Sequence, residues 1–145
     1  MGLKKMLERF YYELSLNELK LMNESRSLPN LTYNSLLYLD IIDYTENCTV
    51  SLLAERLSIS KPAVTMKVNE LIKQGWLEKT QSENDRRVFY LTLRPQVGEM
   101  YEDYRKILNY AVEKMKKEFS GNEIEKFCEM LNAFNNYYLE GFDNE

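Results

Sequence analysis

The stretch that decides the fold is Leu53-Ala54-Glu55-Arg56-Leu57-Ser58-Ile59-Ser60-Lys61-Pro62-Ala63-Val64-Thr65. It begins inside a short amphipathic helix for which Thr49 is a suitable N-cap. The pair Ser58-Ile59 interrupts that helix, and Ser60 is a preferred N-cap for the next one, whose first turn accommodates Pro62. A short helix, a tight turn and a second capped helix are typical of a helix-turn-helix.

The residues that follow extend this motif into a winged helix-turn-helix. Apolar residues of the second helix recur on one face and form its predicted buried stripe: Val64, Val68, Leu71 and Ile72. Gly75 is well placed to end that helix. Residues 76–79 and 88–93 have the composition of strands, and the polar, turn-rich residues 81–87 lie between them, which predicts a β-hairpin.

Helical periodicity also marks the two ends of the chain. A helix is predicted from Leu3 to about Met22, and a second from a Thr32 cap to about Tyr44. Two more follow Pro95, with either Ser120 or Asn122 as the cap between them. Their apolar stripes are too long for one short chain to cover, so they need one another or a second copy.

The predicted fold class is therefore mainly α with a small β-hairpin wing. Residues 31–94 are expected to form the winged helix-turn-helix domain. Residues 1–30 and 95–145 are expected to form a helical dimerisation region that flanks it on both sides.

Charge is distributed unevenly along the chain. The net charge is −4, yet residues 60–94 contain seven basic and four acidic residues, which gives +3 there and leaves −7 for the remainder. The basic residues are Lys61, Lys67, Lys73, Lys79, Arg86, Arg87 and Arg94. Such a basic block can attract nucleic-acid phosphates although the whole chain is acidic.

Composition argues against several other classes of protein. The chain has no histidine and only two cysteines, Cys48 and Cys128, which lack metal-ligand spacing. It has no glycine-rich phosphate loop and no Ser or Cys with an evident base, so no enzyme activity, cofactor or metal is expected, although an all-carboxylate metal site stays open. Charged residues interrupt the N-terminal twelve residues, so neither a signal peptide nor a membrane span is expected, and a cytoplasmic location is predicted.

Candidate DNA-binding residues follow from the orientation of the second helix. With the apolar stripe inward, Pro62, Met66, Asn69 and Lys73 project outward and Thr65 lies on the flank. Ser60, Lys61 and the first-turn amides suit a phosphate, and the hairpin tip suits the minor groove. The predicted DNA-binding residues are Ser60, Lys61, Pro62, Ala63, Thr65, Met66, Asn69, Lys73, Asp85, Arg86 and Arg87.

The sequence resembles the MarR (multiple antibiotic resistance regulator) family over nearly its whole length. Residues 53–65 resemble that family's helix-turn-helix, and residues 71–79 resemble the exit into its wing. Asn84-Asp85-Arg86-Arg87 and Leu91-Thr92-Leu93 are similar to its wing signature and returning strand, which is the more specific part of the match. Pro95 and Gln96 depart from the family pattern and leave the start of the long helix open.

The resemblance implies a prokaryotic homodimer that binds a pseudopalindromic site on double-stranded DNA, with repression as the expected mode of regulation. It also implies that Asp85 braces the wing and that Arg87 reaches the minor groove. Many members of the family release DNA when they bind small, often aromatic or phenolic, compounds. The residues expected to line such an effector pocket are Phe10, Tyr11, Tyr33, Tyr38 and Tyr104.

Two alternatives remain at this level. The aromatic residues named for the effector pocket also suit a core or a protein interface. The fold as a whole also occurs in winged-helix protein-interaction modules that read no DNA.

Overall fold

The computed structural model describes residues 2–24 and 28–144. Its elements are α1 (Leu3–Glu24), α2 (Tyr33–Tyr44), α3 (Val50–Leu57), α4 (Lys61–Lys73), β1 (Leu77–Gln81), β2 (Phe89–Leu93), α5 (Pro95–Glu118) and α6 (Gly121–Asp143). The strands form an antiparallel hairpin that pairs Leu77 with Leu93 and Gln81 with Phe89. The predicted fold class, mainly helical with a small hairpin, is confirmed.

Side-chain caps start α2, α3 and α4 at the predicted residues. Thr32 accepts a hydrogen bond from the backbone N–H of Ser35, and Thr49 accepts one from that of Leu52. Ser60 does the same for Ala63, with 3.4 Å between Oγ and N. Each cap satisfies a backbone donor that the first turn of a helix leaves unpaired. Ser58 ends α3 in the left-handed conformation, with φ of 54°, and forms the tight turn.

The end of α4 explains why β1 begins one residue later than the sequence predicts. Gly75 has a φ of 79°, and its N–H donates to the carbonyl of Ile72. The N–H of Trp76 then donates to the carbonyl of Leu71, 3.0 Å away, which completes a glycine-dependent helix ending. Trp76 therefore belongs to the helix cap, and β1 starts at Leu77.

The start of β2 differs from the prediction by one residue as well. Val88 was expected in the strand, but its N–H donates to the carbonyl of Asp85 at 2.9 Å and closes the turn at the tip of the hairpin. The strand begins at Phe89. At its other side, the N–H of Leu91 donates to the carbonyl of Cys48 at 2.8 Å, so the residues before α3 are fastened to the hairpin.

A single apolar core holds the helix-turn-helix to the hairpin. Helix α4 packs against α3 and β1, and α2 packs against β2. The completely or almost completely buried side chains are Leu28, Leu36, Leu39, Cys48, Leu53, Val64, Val68, Leu71, Leu77 and Val97. Burial of this apolar surface is the main force that assembles these short elements.

The structure resolves where the long helix begins. Helix α5 starts at Pro95, a residue that is tolerated at a first helical position because its missing N–H would be unpaired there. Gln96 donates from Nε2 to the carbonyl of Gly75 at 3.1 Å, and Val97 is fully buried. The departure from the family pattern thus attaches α5 to the end of α4.

The chain divides into two compact units, residues 1–101 and 102–145. In the second unit Ser120 caps α6, and Glu123 completes a capping box by accepting from the N–H and hydroxyl of Ser120. These hydrogen bonds lower the pKa of Glu123. No residue of α6 is buried. None of the helices in residues 2–24 and 28–144 is long and apolar enough to cross a membrane.

The predicted division into residues 31–94 and a dimerisation region of residues 1–30 and 95–145 stays a prediction. Met1, the segment 25–27 and Glu145 belong to that dimerisation region and lie outside the described residues.

A polar contact joins α2 to the start of α5. The hydroxyl of Tyr101, which is buried, donates to Oδ1 of Asp40. Burial raises the pKa of Asp40, the hydrogen bond from Tyr101 lowers it, and the charges of Glu18 and Asp43 raise it further. The net result is a raised pKa, so the folded chain holds a proton on Asp40 more tightly than the unfolded chain does.

The substitution Asp40→Asn is expected to remove a pH dependence of stability. Because the pKa of Asp40 is raised, its contribution is most favourable at acidic pH and is lost as pH rises through the raised pKa. Asn keeps an oxygen that accepts from Tyr101 but never ionises. Chemical denaturation at acidic and neutral pH should therefore show that the variant gains stability relative to wild type as pH rises.

Glu55→Gln, on the exposed surface of α3, is the matched control and should leave the pH dependence unchanged. A constant difference between Asp40→Asn and wild type at every pH would contradict the expectation.

Candidate nucleic-acid interface

The exposed face of α4 carries the residues predicted to read bases. Val64, Val68 and Leu71 are completely buried, which fixes the rotation of the helix about its axis. Pro62, Asn69 and Lys73 are exposed on the other side, and Met66 is 72% exposed. The four predicted outward residues therefore share one accessible face.

The edges of this face are more enclosed. Ala63 and Thr65 are half-buried on the flanks, whereas Ser60 and Lys61 are exposed at the N-terminal end. The first-turn N–H groups there, together with the ammonium of Lys61, form an electropositive end that suits a phosphate. The predicted phosphate contact at Ser60 and Lys61 is compatible with these positions.

Polar hydrogen bonds shape the tip of the wing, which we define as residues 82–88. The hydroxyl of Ser82 accepts from the N–H groups of Asn84 and Asp85, and the N–H of Ser82 donates to the carbonyl of Val88. Gln81 donates from Nε2 to the carbonyl of Arg86 at 2.6 Å. The tip has almost no apolar surface to bury, so these bonds determine its conformation.

Asp85 holds Arg87 in a specific orientation. Its Oδ1 accepts from the backbone N–H of Arg87 at 3.0 Å and from Nε at 3.1 Å, and its Oδ2 accepts from Nη2 at 3.1 Å. These hydrogen bonds lower the pKa of Asp85. The side chain of Arg87 nevertheless stays 90% exposed. Arg86 is exposed beside it, so the tip presents two guanidinium groups.

A cleft beside the wing contains residues that the sequence did not identify as site residues. Its volume is about 330 Å³, and it is lined by Thr49, Val50, Ser51, Lys79, Arg87, Val88 and Phe89. Lys79 was counted in the basic block, but the sequence identified Thr49 only as a helix cap and gave no indication that the hydroxyls of Thr49 and Ser51 lie beside the wing. They approach the wing only because Cys48 is hydrogen-bonded to Leu91, a contact between residues far apart in the sequence.

The residues predicted for an effector pocket occupy different environments. Phe10 and Tyr11 lie on α1 with partly exposed rings whose centroids are 6.0 Å apart. Tyr38 is buried in α2, whereas the partly exposed Tyr33 donates from its hydroxyl to Glu18 at 2.8 Å. Tyr104 lies in the second unit. The effector pocket stays a prediction.

Comparisons with known proteins relate this chain to transcriptional regulators. The protein-family model described as "MarR family" matches residues 31–89. The HTH-type transcriptional regulator BilQ of Clostridioides difficile is 28% identical over 103 residues, which cover 71% of this chain and 70% of BilQ. The transcriptional regulator AdcR of Streptococcus pneumoniae is 33% identical over 91 residues, which cover 61% of this chain and 62% of AdcR.

A solved structure supports the fold. The crystal structure of Streptococcus pneumoniae FabT in complex with DNA matches with a TM-score of 0.61 and 22% identity, over 93% of this chain and 98% of FabT. At this identity the match concerns the fold, which is the winged-helix architecture predicted from residues 53–93.

The substitution Asp85→Asn is expected to loosen the wing tip without unfolding the protein. It removes the charge that pairs with Arg87, while the core beneath α4 is untouched. The backbone N–H of Arg87 should exchange with solvent faster, as measured by hydrogen exchange and NMR. In the wild type, the pKa of Asp85 is lowered, so its carboxylate should stay ionised below the usual carboxyl range. The Arg87 N–H should therefore stay protected from exchange until the pH falls below that range.

Glu83→Gln, an exposed carboxylate in the same tip, is the control and should leave this exchange rate unchanged. If Asp85→Asn also leaves it unchanged, Asp85 does not brace the wing.

Proposed function

We propose that the chain is a transcriptional regulator of the MarR family, whose family model matches residues 31–89, and that it binds a pseudopalindromic site on double-stranded DNA as a homodimer. In this proposal α4 enters the major groove and the wing tip enters the adjacent minor groove. Repression is the expected mode, because a dimer bound across a promoter obstructs transcription.

The observation that carries this proposal is the orientation of Arg87. Asp85 positions the guanidinium by two side-chain hydrogen bonds and one backbone hydrogen bond, yet the group remains exposed to solvent. A pre-positioned, accessible cation at the end of a projecting hairpin suits the negative potential of a narrow minor groove. A hairpin that served only as structure would need no such arrangement.

The cleft beside the wing supports additional contacts to the DNA backbone. Lys79 supplies a cation there, and the hydroxyls of Thr49 and Ser51 supply hydrogen-bond donors. Phosphate oxygens accept hydrogen bonds from both ammonium and hydroxyl groups. Such contacts orient a protein on the duplex without reading its sequence. We therefore add Thr49, Ser51 and Lys79 to the proposed DNA-binding residues.

Exposed apolar side chains on the long helices support the homodimer. In α6 these are Phe127, Met130, Leu131, Tyr137, Tyr138, Leu139 and Phe142, each about half exposed or more, and α1 and α5 carry similar residues. Exposed apolar surface on this scale marks a protein interface. A second copy of the chain is the proposed partner, because a two-fold dimer presents two reading heads to a pseudopalindrome.

The same proposal assigns the remaining properties of the protein. The relatives are transcriptional regulators, so we propose that this chain regulates without catalysis and acts in the cytoplasm, where the DNA is. A small aromatic effector remains part of the proposal. The structure of Staphylococcus aureus MarR in complex with salicylate and kanamycin shows a protein of similar fold with small molecules bound.

DNA binding is tested by fluorescence anisotropy with duplexes from the region upstream of the protein's own gene. Six to eight phosphate contacts per dimer should give a log–log dependence of affinity on salt with a slope of about −5 to −7. Arg87→Ala should weaken binding about 5- to 160-fold, because a groove contact is lost.

Arg9→Ala removes the same charge from α1, far from the wing in sequence, and should leave affinity unchanged. A salt slope near zero would contradict DNA binding, and an unchanged affinity for Arg87→Ala would remove Arg87 from the interface.

The homodimer is tested on α6 with a charge placed in its apolar face. Leu131→Glu should raise the dissociation constant of the dimer, as measured by sedimentation equilibrium, because the carboxylate would be buried against the partner. Asn136→Glu adds the same charge about 140° around the helix and should have little effect. In wild type, Tm should rise with protein concentration. A wild-type monomer at every concentration would refute the homodimer.

A further inference from the structure

The part of α4 that faces the groove carries no available cation in its middle. Between Lys61 at the N-terminal end and Lys73 at the C-terminal end, the basic residue is Lys67. Lys67 donates from Nζ to Oε1 of Glu70 at 3.0 Å, and its side chain is only 16% exposed. Lys73 is about 10 Å beyond Met66 along the helix axis. The middle turns therefore lack the side chains that usually recognise guanine, arginine and lysine.

Two other side chains occupy that middle. Met66 lies opposite the buried stripe and is 72% exposed. Asn69, one turn further on, is exposed on the same side. The amide of asparagine matches the N6 donor and N7 acceptor of adenine, and an apolar side chain matches the methyl group of thymine. Both preferences point to A·T pairs.

We propose that the middle of α4 selects A·T base pairs, with Asn69 hydrogen-bonding to adenine and Met66 contacting the methyl group of thymine. This inference rests on the proposed function, because it assumes that α4 enters the major groove. It assigns each half-site of the operator an A·T pair at the positions that these two residues reach. Specificity there comes from an amide and a thioether side chain, whereas Lys61 at the N-terminal end of α4 contacts a phosphate.

The ion pair of Lys67 and Glu70 contributes to this selectivity. Glu70 is exposed, and an unpaired carboxylate in this position would accept from the exocyclic amine of cytosine. Its pairing with Lys67 occupies one carboxylate oxygen and balances its charge. The same pair keeps the ammonium of Lys67 on the flank, away from guanine. Both residues that would favour G·C pairs are thus engaged with each other.

The first step of the test selects binding sites from a pool of random duplexes with the full-length wild-type protein. A·T pairs should be enriched in both half-sites. Replacement of the selected A·T pair by G·C in one half-site should lower affinity about 5- to 160-fold in anisotropy measurements.

The second step uses base analogues in the selected duplex. Deoxyuridine in place of thymidine removes the methyl group. An adenine analogue in which carbon replaces the N7 nitrogen removes the acceptor for the Asn69 amide. Wild type should lose affinity with each analogue. The affinity of Met66→Ala should no longer depend on deoxyuridine but should still fall with the adenine analogue. The affinity of Asn69→Ala should show the reverse pattern. Both residues are exposed, so circular dichroism should show that the variants fold.

Lys61→Ala is the matched control on the same helix. Loss of a phosphate contact should weaken binding to every duplex equally and leave both analogue effects in place. Enrichment of G·C pairs in the half-sites, or variants that keep both analogue effects, would overturn the inference while DNA binding stands. Failure of the wild type to enrich any sequence would instead overturn the proposed function.

Discussion

The complete burial of Val64, Val68 and Leu71 is the constraint on which the rest of the structure depends. These side chains allow α4 only one rotation about its axis, because any other would expose them and bury Asn69 or Lys73 without partners. Helix α3 and strand β1 pack against α4 and cover this stripe. The face proposed to meet DNA is thus determined by the face that avoids water, and the residues proposed to read bases need no contacts of their own to be positioned.

Different interactions stabilise the base and the tip of the wing. Its base is held by apolar residues such as Leu77 and Leu91, but its tip has little apolar surface to bury. Hydrogen bonds that Gln81 donates and that Ser82 and Asp85 accept define the tip instead. The bonds of Gln81 and Asp85 are exposed to competition from water, so this part of the tip can adjust on binding while the base stays in place. Such an arrangement suits the proposed entry of a cation into a groove whose width varies with sequence.

The long helices keep many apolar side chains exposed. Their caps and periodicity make them helical, yet α6 buries none of its side chains. In the proposed homodimer a second molecule would cover their apolar faces, which would couple folding of this region to assembly. The contact of Tyr101 with Asp40 lies where the start of α5 meets α2, so α5 is attached at this end to the helix-turn-helix through a partly buried hydrogen bond.

The sequence by itself determined the local structure, because caps, turns and periodicity act over a few residues. Thr49, Ser60 and Gly75 behave as their positions predict, and the apolar stripe of α4 indicated its outward face before any tertiary contact was known. Tertiary structure decided what depends on residues far apart in the chain. The Cys48–Leu91 hydrogen bond brings Thr49 and Ser51 to the wing beside Lys79, and the contact of Gln96 with Gly75 sets the start of α5. No local pattern encodes such contacts, since they form only when the core has closed and brought the backbone groups together.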